Sequence, residues 1–255
     1  MKDYILEVCV DSVESAKEAV SGGADRLELC ANLVIGGTTP GISQFKQIRR
    51  VCEVPINVLV RPRYGDFLYT DYEFQMICED AAMFLDLGAD GIVVGVLDPD
   101  GNLDRVRLET LRKIAEKGKM TLHRAFDVCR DPYEALHEAV DMGIDTILTS
   151  GQQDTCIKGK KLLEELAYLA AGHIEIMAGS GVDANAISCL MESSKIQSFH
   201  MSGKELTDSK MRYRKEGVNM GIPGMGEYHI YRTDSGKILR AKQVMEGKAC
   251  LQKNG

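Results

Sequence analysis

Two short runs near the start of the chain set a carboxylate and a thiol two positions apart: Glu7 with Cys9, and Glu28 with Cys30. Further along stand Arg61, Arg63, His123 and His200. Carboxylates and imidazoles held together out of water can exchange a proton near neutral pH, because burial and neighbouring charge move their pKa values toward each other. The same oxygen and nitrogen donors can hold a hard or borderline divalent ion, whereas paired thiols select a soft one. Gly179-Ser180-Gly181 and Ser202-Gly203 offer a third chemistry. Each follows an apolar run, and small residues there leave backbone N–H groups free to converge on a phosphate or carboxylate, with Arg61 and Arg63 as side-chain partners.

Whether these groups meet depends on the elements that carry them. One signal recurs: Gly23-Ala24-Asp25, Gly88-Ala89-Asp90 and Gly143-Ile144-Asp145, each closing a helical pattern and opening a short apolar strand, at intervals of 65 and 55 residues. The glycine suits the left-handed cap of the preceding helix and the aspartate caps the turn. Further strand-like runs lie at residues 4–10, 56–61, 120–126, 174–178 and 198–201, between helical patterns such as 72–87 and 133–142. Eight strands alternating with helices predict an α/β fold in one domain, a (β/α)8 TIM-type barrel over residues 1–246, with its working site at the C-terminal ends of the strands. Residues 204–232 are expected as a long loop after the eighth strand, 235–246 as the closing helix and 247–255 as a frayed tail.

Strand parity then says which side chains face inward, since the outward face must be apolar to pack on helices. With Leu6, Val8, Val10, Leu27 and Leu29 outward, Glu7, Cys9, Glu28 and Cys30 turn in. The same reasoning places Asn57, Leu59, Arg61, His123, Ser198, His200 and Ser202 inside, while Arg124 falls on the wrong parity and is expected at a strand end. Unpaired buried charge is costly, so Glu7, Glu28, Arg61, His123 and His200 are expected in one connected network. No lysine falls on the inward parity of the assigned runs, which argues against Schiff-base chemistry.

Composition excludes other classes. A net charge of −7 without a long basic run argues against nucleic acid and anionic membrane as partners, and no apolar stretch approaches a span. Asp11-Ser12-Val13-Glu14 after the first strand carries none of the glycines of a dinucleotide fingerprint, and no P-loop occurs, so no nucleotide cofactor is expected. The N-terminus runs straight into a strand with no signal peptide, and eight cysteines without C-x-x-C spacing suit a reducing, cytoplasmic setting.

Several motifs in fixed order carry a family resemblance. Glu28-Leu29-Cys30-Ala31-Asn32-Leu33 with Gly36-Gly37-Thr38-Thr39-Pro40, Arg61-Pro62-Arg63 with Gly65-Asp66-Phe67, His123-Arg124-Ala125-Phe126-Asp127, Leu148-Thr149-Ser150-Gly151 and Met211-Arg212-Tyr213-Arg214 resemble the copper homeostasis protein CutC family, from the first strand to about residue 220. The resemblance implies a TIM-type barrel, a cytoplasmic location, a homo-oligomer and a part in copper handling. It adds Asp127 to the candidate catalytic residues Glu7, Glu28, Arg61, His123 and His200, and Ser150 to the candidate anion holders Arg63, Gly179, Ser180, Gly181, Ser202 and Gly203. Two functions follow. In one, Cys9 and Cys30, with Met177 inward nearby, bind copper as Cu(I). In the other, an enzyme of lyase, epimerase or hydrolase type, with or without another divalent metal, acts on a small anionic, phosphorylated or carboxylated substrate.

Overall fold

Aliphatic and β-branched runs of four to six residues form eight strands: β1 (Ile5–Val10), β2 (Arg26–Leu29), β3 (Ile56–Leu59), β4 (Gly91–Val94), β5 (Lys119–Leu122), β6 (Thr146–Thr149), β7 (Glu175–Ala178) and β8 (Ser198–Met201). They pair in parallel and in chain order, and β1 closes the ring on β8, with Glu7 opposite His200 and Val8 opposite Met201. The structure, a computed structural model, describes residues 4–116, 118–193, 195–218, 220–222 and 225–247. Around the barrel lie α1 (Val13–Ser21), α2 (Ile42–Val51), α3 (Asp71–Asp86), α4 (Arg105–Ile114), α5 (Pro132–Asp141), α6 (Lys160–Leu169), α7 (Ala184–Ser193) and α8 (Ser235–Met245). Several of their starts are set by side chains that accept free N–H groups, among them Ser12 for α1, a Thr70–Glu73 capping box for α3, Asp131 before Pro132 for α5, and Asp234 for α8. The barrel expected from the alternation is the fold observed.

Parity holds around the ring. Leu6, Val8, Leu27, Leu29, Ile56, Val58, Ile92, Val94, Met120, Leu122, Ile147 and Phe199 are fully buried between sheet and helices. Arg124 lies just past β5 in a 3-10 turn, Arg124–Val128, which explains its departure from the alternation. Lys119 corrects the reading that no lysine shares the inward parity. It opens β5 two residues before Thr121, but sits at the N-terminal rim, largely exposed, with its Nζ 2.7 Å from Asp145.

The recurring aspartates do more than cap turns. The N–H groups of Asp25, Asp90 and Asp145 donate to the carbonyls of Leu6, Ile56 and Met120 at 2.9, 3.0 and 3.0 Å. Each carboxylate accepts back from the N–H of that same residue, at 2.8, 2.8 and 2.9 Å. Each clamp therefore locks an even strand to the odd strand before it, and a cation covers it: Lys242 on Asp25, Arg49 on Asp90, Arg112 with Lys119 on Asp145. The preceding Gly23, Gly88 and Gly143 have φ of +97°, +92° and +70°, the conformation the sequence pattern required. Under the β7–β8 pair, which lacks such a clamp among the described residues, a groove of about 1010 Å³ opens between Ile5, Tyr168, Ile174, Lys195 and Gln197.

The segment expected as a long loop carries structure of its own. β9 (Lys204–Asp208) and β10 (His229–Thr233) pair antiparallel as a separate ribbon, and Thr233 anchors it through Oγ1 to the Ser202 carbonyl. All five β9 residues are exposed, so no apolar face announced the strand. Of the expected tail, Gly247 ends the description and residues 248–255 lie outside the described residues. No helix among those described is long and apolar enough to cross a membrane.

Replacing Asp145 with alanine strands the N–H of fully buried Met120 and releases two cations. Asp145→Ala should lower stability by about 1 to 3 kcal/mol in urea unfolding. Asp145→Asn keeps an acceptor and should fall between; an asparagine variant as unstable as the alanine one would move the effect from the clamp to the ion pairs.

Candidate functional site

Glu7 is fully buried in the middle of the barrel and every polar contact around it comes from a different strand. Its Oε2 accepts from Arg26 Nε at 2.5 Å on β2 and from Asn57 Nδ2 at 3.3 Å on β3, and its Oε1 lies 2.9 Å from His200 Nδ1 on β8. Arg26 then reaches Met177 Sδ at 3.4 Å and Glu175 Oε1 at 3.7 Å on β7, and Glu175 Oε2 accepts from Thr146 Oγ1 at 2.9 Å on β6. One chain of polar contacts thus crosses six of the eight strands. At the N-terminal face a cavity of about 410 Å³ opens onto Arg26, Asn57, Lys119 and Glu175.

Burial and charge act oppositely on the two central carboxyls. Burial works to raise Glu7, but the Arg26 guanidinium and His200 outweigh it and hold the carboxyl down at about 2. Glu28 has no such cation in contact, so burial pushes it up to about 7, against the pull of His200. Burial disfavours the His200 imidazolium, yet Cys9, Glu28 and Glu7 together raise it well above its ordinary value. Glu7, Glu28 and His200 each present a donor atom within 4.8 Å of the others, and Glu28 Oε2 is buried without a hydrogen-bond partner. Cys9 stands beside His200 and near the fully buried Cys30 thiol, which burial, then Cys9 and Glu28, push well above the usual thiol range. None of the seven described cysteines is in a disulfide.

Arg61 and His123 do face the interior side, as parity required, but they do not join this set. Cys30, Leu59 and Val93, two residues beyond Glu28, Asn57 and Gly91 on β2, β3 and β4, form an apolar layer between the two groups. Above it Arg61 donates to the carbonyls of Gly37 at 3.2 Å and Gly65 at 2.9 Å, and its guanidinium lies 5.0 Å over the Phe67 ring. Phe67 packs 4.9 Å from His123, whose Nδ1 accepts from the Ala125 N–H at 3.1 Å. Burial, aided by Arg61, pushes His123 down to about 3, so it stays neutral with its proton on Nε2. A Cβ on Gly95 would come within 2.5 Å of that ring, which explains the glycine. The single network expected from parity is therefore two: Glu7, Glu28 and His200 below, Arg61 and His123 above.

The remaining expected residues mostly hold loops. Arg63 pairs with Glu73 at 2.6 Å and Asp66 at 2.9 Å, fixing the loop after β3. Asp127 and Ser150 come together: Asp127 accepts from Arg124, from Thr149 Oγ1 and from both the N–H and Oγ of Ser150, so its two oxygens are fully used in joining the loops after β5 and β6. Ser180 is left-handed at φ +68° and donates to the Asp154 carbonyl at 2.6 Å; a Cβ on Gly179 would strike Leu148, and Gly181 is also left-handed at φ +69°. The Gly203 carbonyl accepts from the Asp234 N–H at 3.0 Å, so Ser202 and Gly203 fasten the start of α8. Sequence reasoning missed Arg26 and Glu175, and turned Asn57 inward without giving it a role. Arg26 shares the parity of Glu28 and Cys30 and was open to the same argument extended one residue pair upstream.

The chain matches the family model described as the CutC family over residues 4–205. It is 43% identical over 249 residues to a Bacteroides fragilis protein named as family protein CutC, covering 96% of this chain and 98% of that one. It is 39% identical over 236 residues to the human protein named copper homeostasis protein cutC homolog, covering 92% of this chain and 86% of that one. The crystal structure of CutC from Streptococcus agalactiae superposes with a TM-score of 0.75 at 28% identity, over 78% of this chain and 98% of that one.

The raised Glu28 fixes a pH dependence. Its protonated form is favoured in the folded state, so the stability it contributes is complete below about 4.5 and is lost as pH rises through about 7. Glu28→Gln cannot ionise, and its melting temperature should gain on wild type by about 2 to 8 °C between pH 5 and pH 8. A constant difference across that range would mean that Glu28 is already ionised at pH 5.

Proposed function

The chain belongs to the CutC family, and from that premise we propose that it handles copper, taking Cu(I) as cargo between the thiolates of Cys9 and Cys30 inside the barrel. The observation that carries this reading is the placement of two buried thiols on neighbouring chain segments, Cys9 opposite Glu28 and Cys30 two residues on, with the imidazole of His200 beside Cys9. Cu(I) favours thiolates and accepts two ligands. Two thiolates and one Cu(I) leave a single negative charge, and a protonated His200 beside Cys9 offsets it. Met177 is engaged by Arg26, so it supports the guanidinium and the site is two-coordinate. The Cys30 thiol resists ionisation in its apolar layer, so the ion must displace its proton on entry. Anaerobic titration with Cu(I) against a competing chelator should give one tight equivalent in wild type. Cys9→Ser combined with Cys30→Ser should weaken it by at least about 100-fold, which is some 2.7 kcal/mol; unchanged binding in the double variant removes these cysteines as the site.

A second reading rests on the carboxyls. Glu7 near 2 and Glu28 near 7, side by side, are the split pair that proton-transfer enzymes use, one ionised and one able to give or take a proton at neutral pH. In this reading a small anionic substrate enters the barrel, and Glu28 with His200 moves the proton. Thermal-shift titration with inorganic phosphate and phosphorylated sugars should then raise the melting temperature in a dose-dependent way. A flat response to all of them removes the phosphorylated substrate.

A further inference from the structure

We propose that Glu7, Glu28 and His200 form a site for a divalent cation of the zinc type, built of oxygen and nitrogen donors and distinct from the two thiols beside it. Three donor groups from three strands, β1, β2 and β8, lie within 4.8 Å of one another. A cation held at about 2.0 to 2.2 Å from each ligand needs its ligand atoms within about 4.4 Å of one another, so a small inward shift of these side chains would close the site. A carboxylate pair alone would be weak ground, because two acids can share a proton. Here a second feature points to a ligand: Glu28, 5% exposed, keeps Oε2 buried with no hydrogen-bond partner. A buried carboxylate oxygen left unpaired is costly, and a cation on that side of the carboxylate would satisfy it.

The ligands are also held in advance. Glu7 is fixed by Arg26 and Asn57 through Oε2, which leaves Oε1 directed at His200 Nδ1. A cation would take the place of the proton now shared along that 2.9 Å contact. Arg26 and Asn57 are thus the outer supports that orient a ligating carboxylate, a recurrent feature of metal centres. Charge agrees with a divalent ion. The formal charges of Glu7, Glu28 and Glu175 against Arg26 sum to −2, with His200 as a neutral ligand. Without the ion, that balance must be met by protons. The copper reading shares only His200 with this site, as a neighbouring charge and not as a ligand: its donors are the two thiols, whereas these are two carboxylates and a ring nitrogen.

Cobalt(II) distinguishes the donor sets without any substitution, since thiolate ligands give an intense near-ultraviolet charge-transfer band and oxygen and nitrogen ligands do not. The full-length chain, reduced and stripped of metal, should bind one equivalent of Co2+ with ligand-field bands and no strong sulfur band, and Zn2+ should displace it. The Cys9→Ser, Cys30→Ser double variant should keep this affinity within about threefold. Glu28→Gln and His200→Ala, each checked for folding by circular dichroism, should lose at least about 100-fold. A strong sulfur band, loss of binding in the double cysteine variant, undiminished binding in Glu28→Gln, or no Co2+ or Zn2+ bound by wild type would each overturn the proposal. Cu(I) titration of Glu28→Gln separates it from the copper reading: tight Cu(I) binding there with Co2+ binding lost supports two independent donor sets.

Discussion

A single ionised carboxylate in the middle of the barrel constrains everything around it. Glu7 is fully buried, and a lone charge there would be unaffordable without partners in contact. The partners come from β2, β3 and β8, on both sides of β1, so the ion network also ties the strand where the barrel closes to both of its neighbours. Most barrels fill this space with branched aliphatics, which pack in any of several arrangements. Here the directional contacts of Arg26, Asn57 and His200 fix the register of four strands and set the electrostatic conditions under which Glu28 and Cys9 operate.

The interior is layered by polarity. Residues two apart on a strand occupy successive layers, and one step from Glu28 and Asn57 lies Cys30 with Leu59 and Val93. This apolar layer insulates the lower network from Arg61, so the guanidinium depresses His123 but has no part in the shift of Glu28. Cys9 belongs to the polar layer and Cys30 to the apolar one, which makes the two thiols chemically unequal even though they are neighbours. A ligand bridging them would lie on the boundary between the two environments.

Parity and repeats made much of this legible. The Gly-x-Asp junctions located three of the eight strands, and alternation alone turned Glu7, Cys9, Glu28, Cys30 and His200 inward. What alternation cannot supply is height. Glu28 and Arg61 share an inward face, but whether they touch depends on the stagger between strands and on which layer is apolar, and both arise only when the ring closes. Arg26 escapes the parity argument because a polar residue at a strand's first position looks like the end of a turn. β9 and β10 stayed hidden because all their side chains except Thr233 are exposed or partly so, and a ribbon without a dry face leaves no periodic signal. Asp127 and Ser150 came from the family resemblance, and their meeting joins two loops rather than entering the barrel network.

The aspartate clamps divide the barrel into double staves. β1 is riveted to β2, β3 to β4 and β5 to β6, each by an aspartate standing just before the even strand. Before β8 that position is held by Gln197, and the β7–β8 ladder shows two residue pairs where β1–β2 shows four. The groove beneath this seam leaves it without backing. Without a rivet at the fourth joint, β8, which carries His200, is located by its four-residue pairing with β1 and by the contact of His200 with Glu7. The contact between imidazole and carboxylate is therefore also a fastener of the ring, placed beside the seam where the clamp is missing.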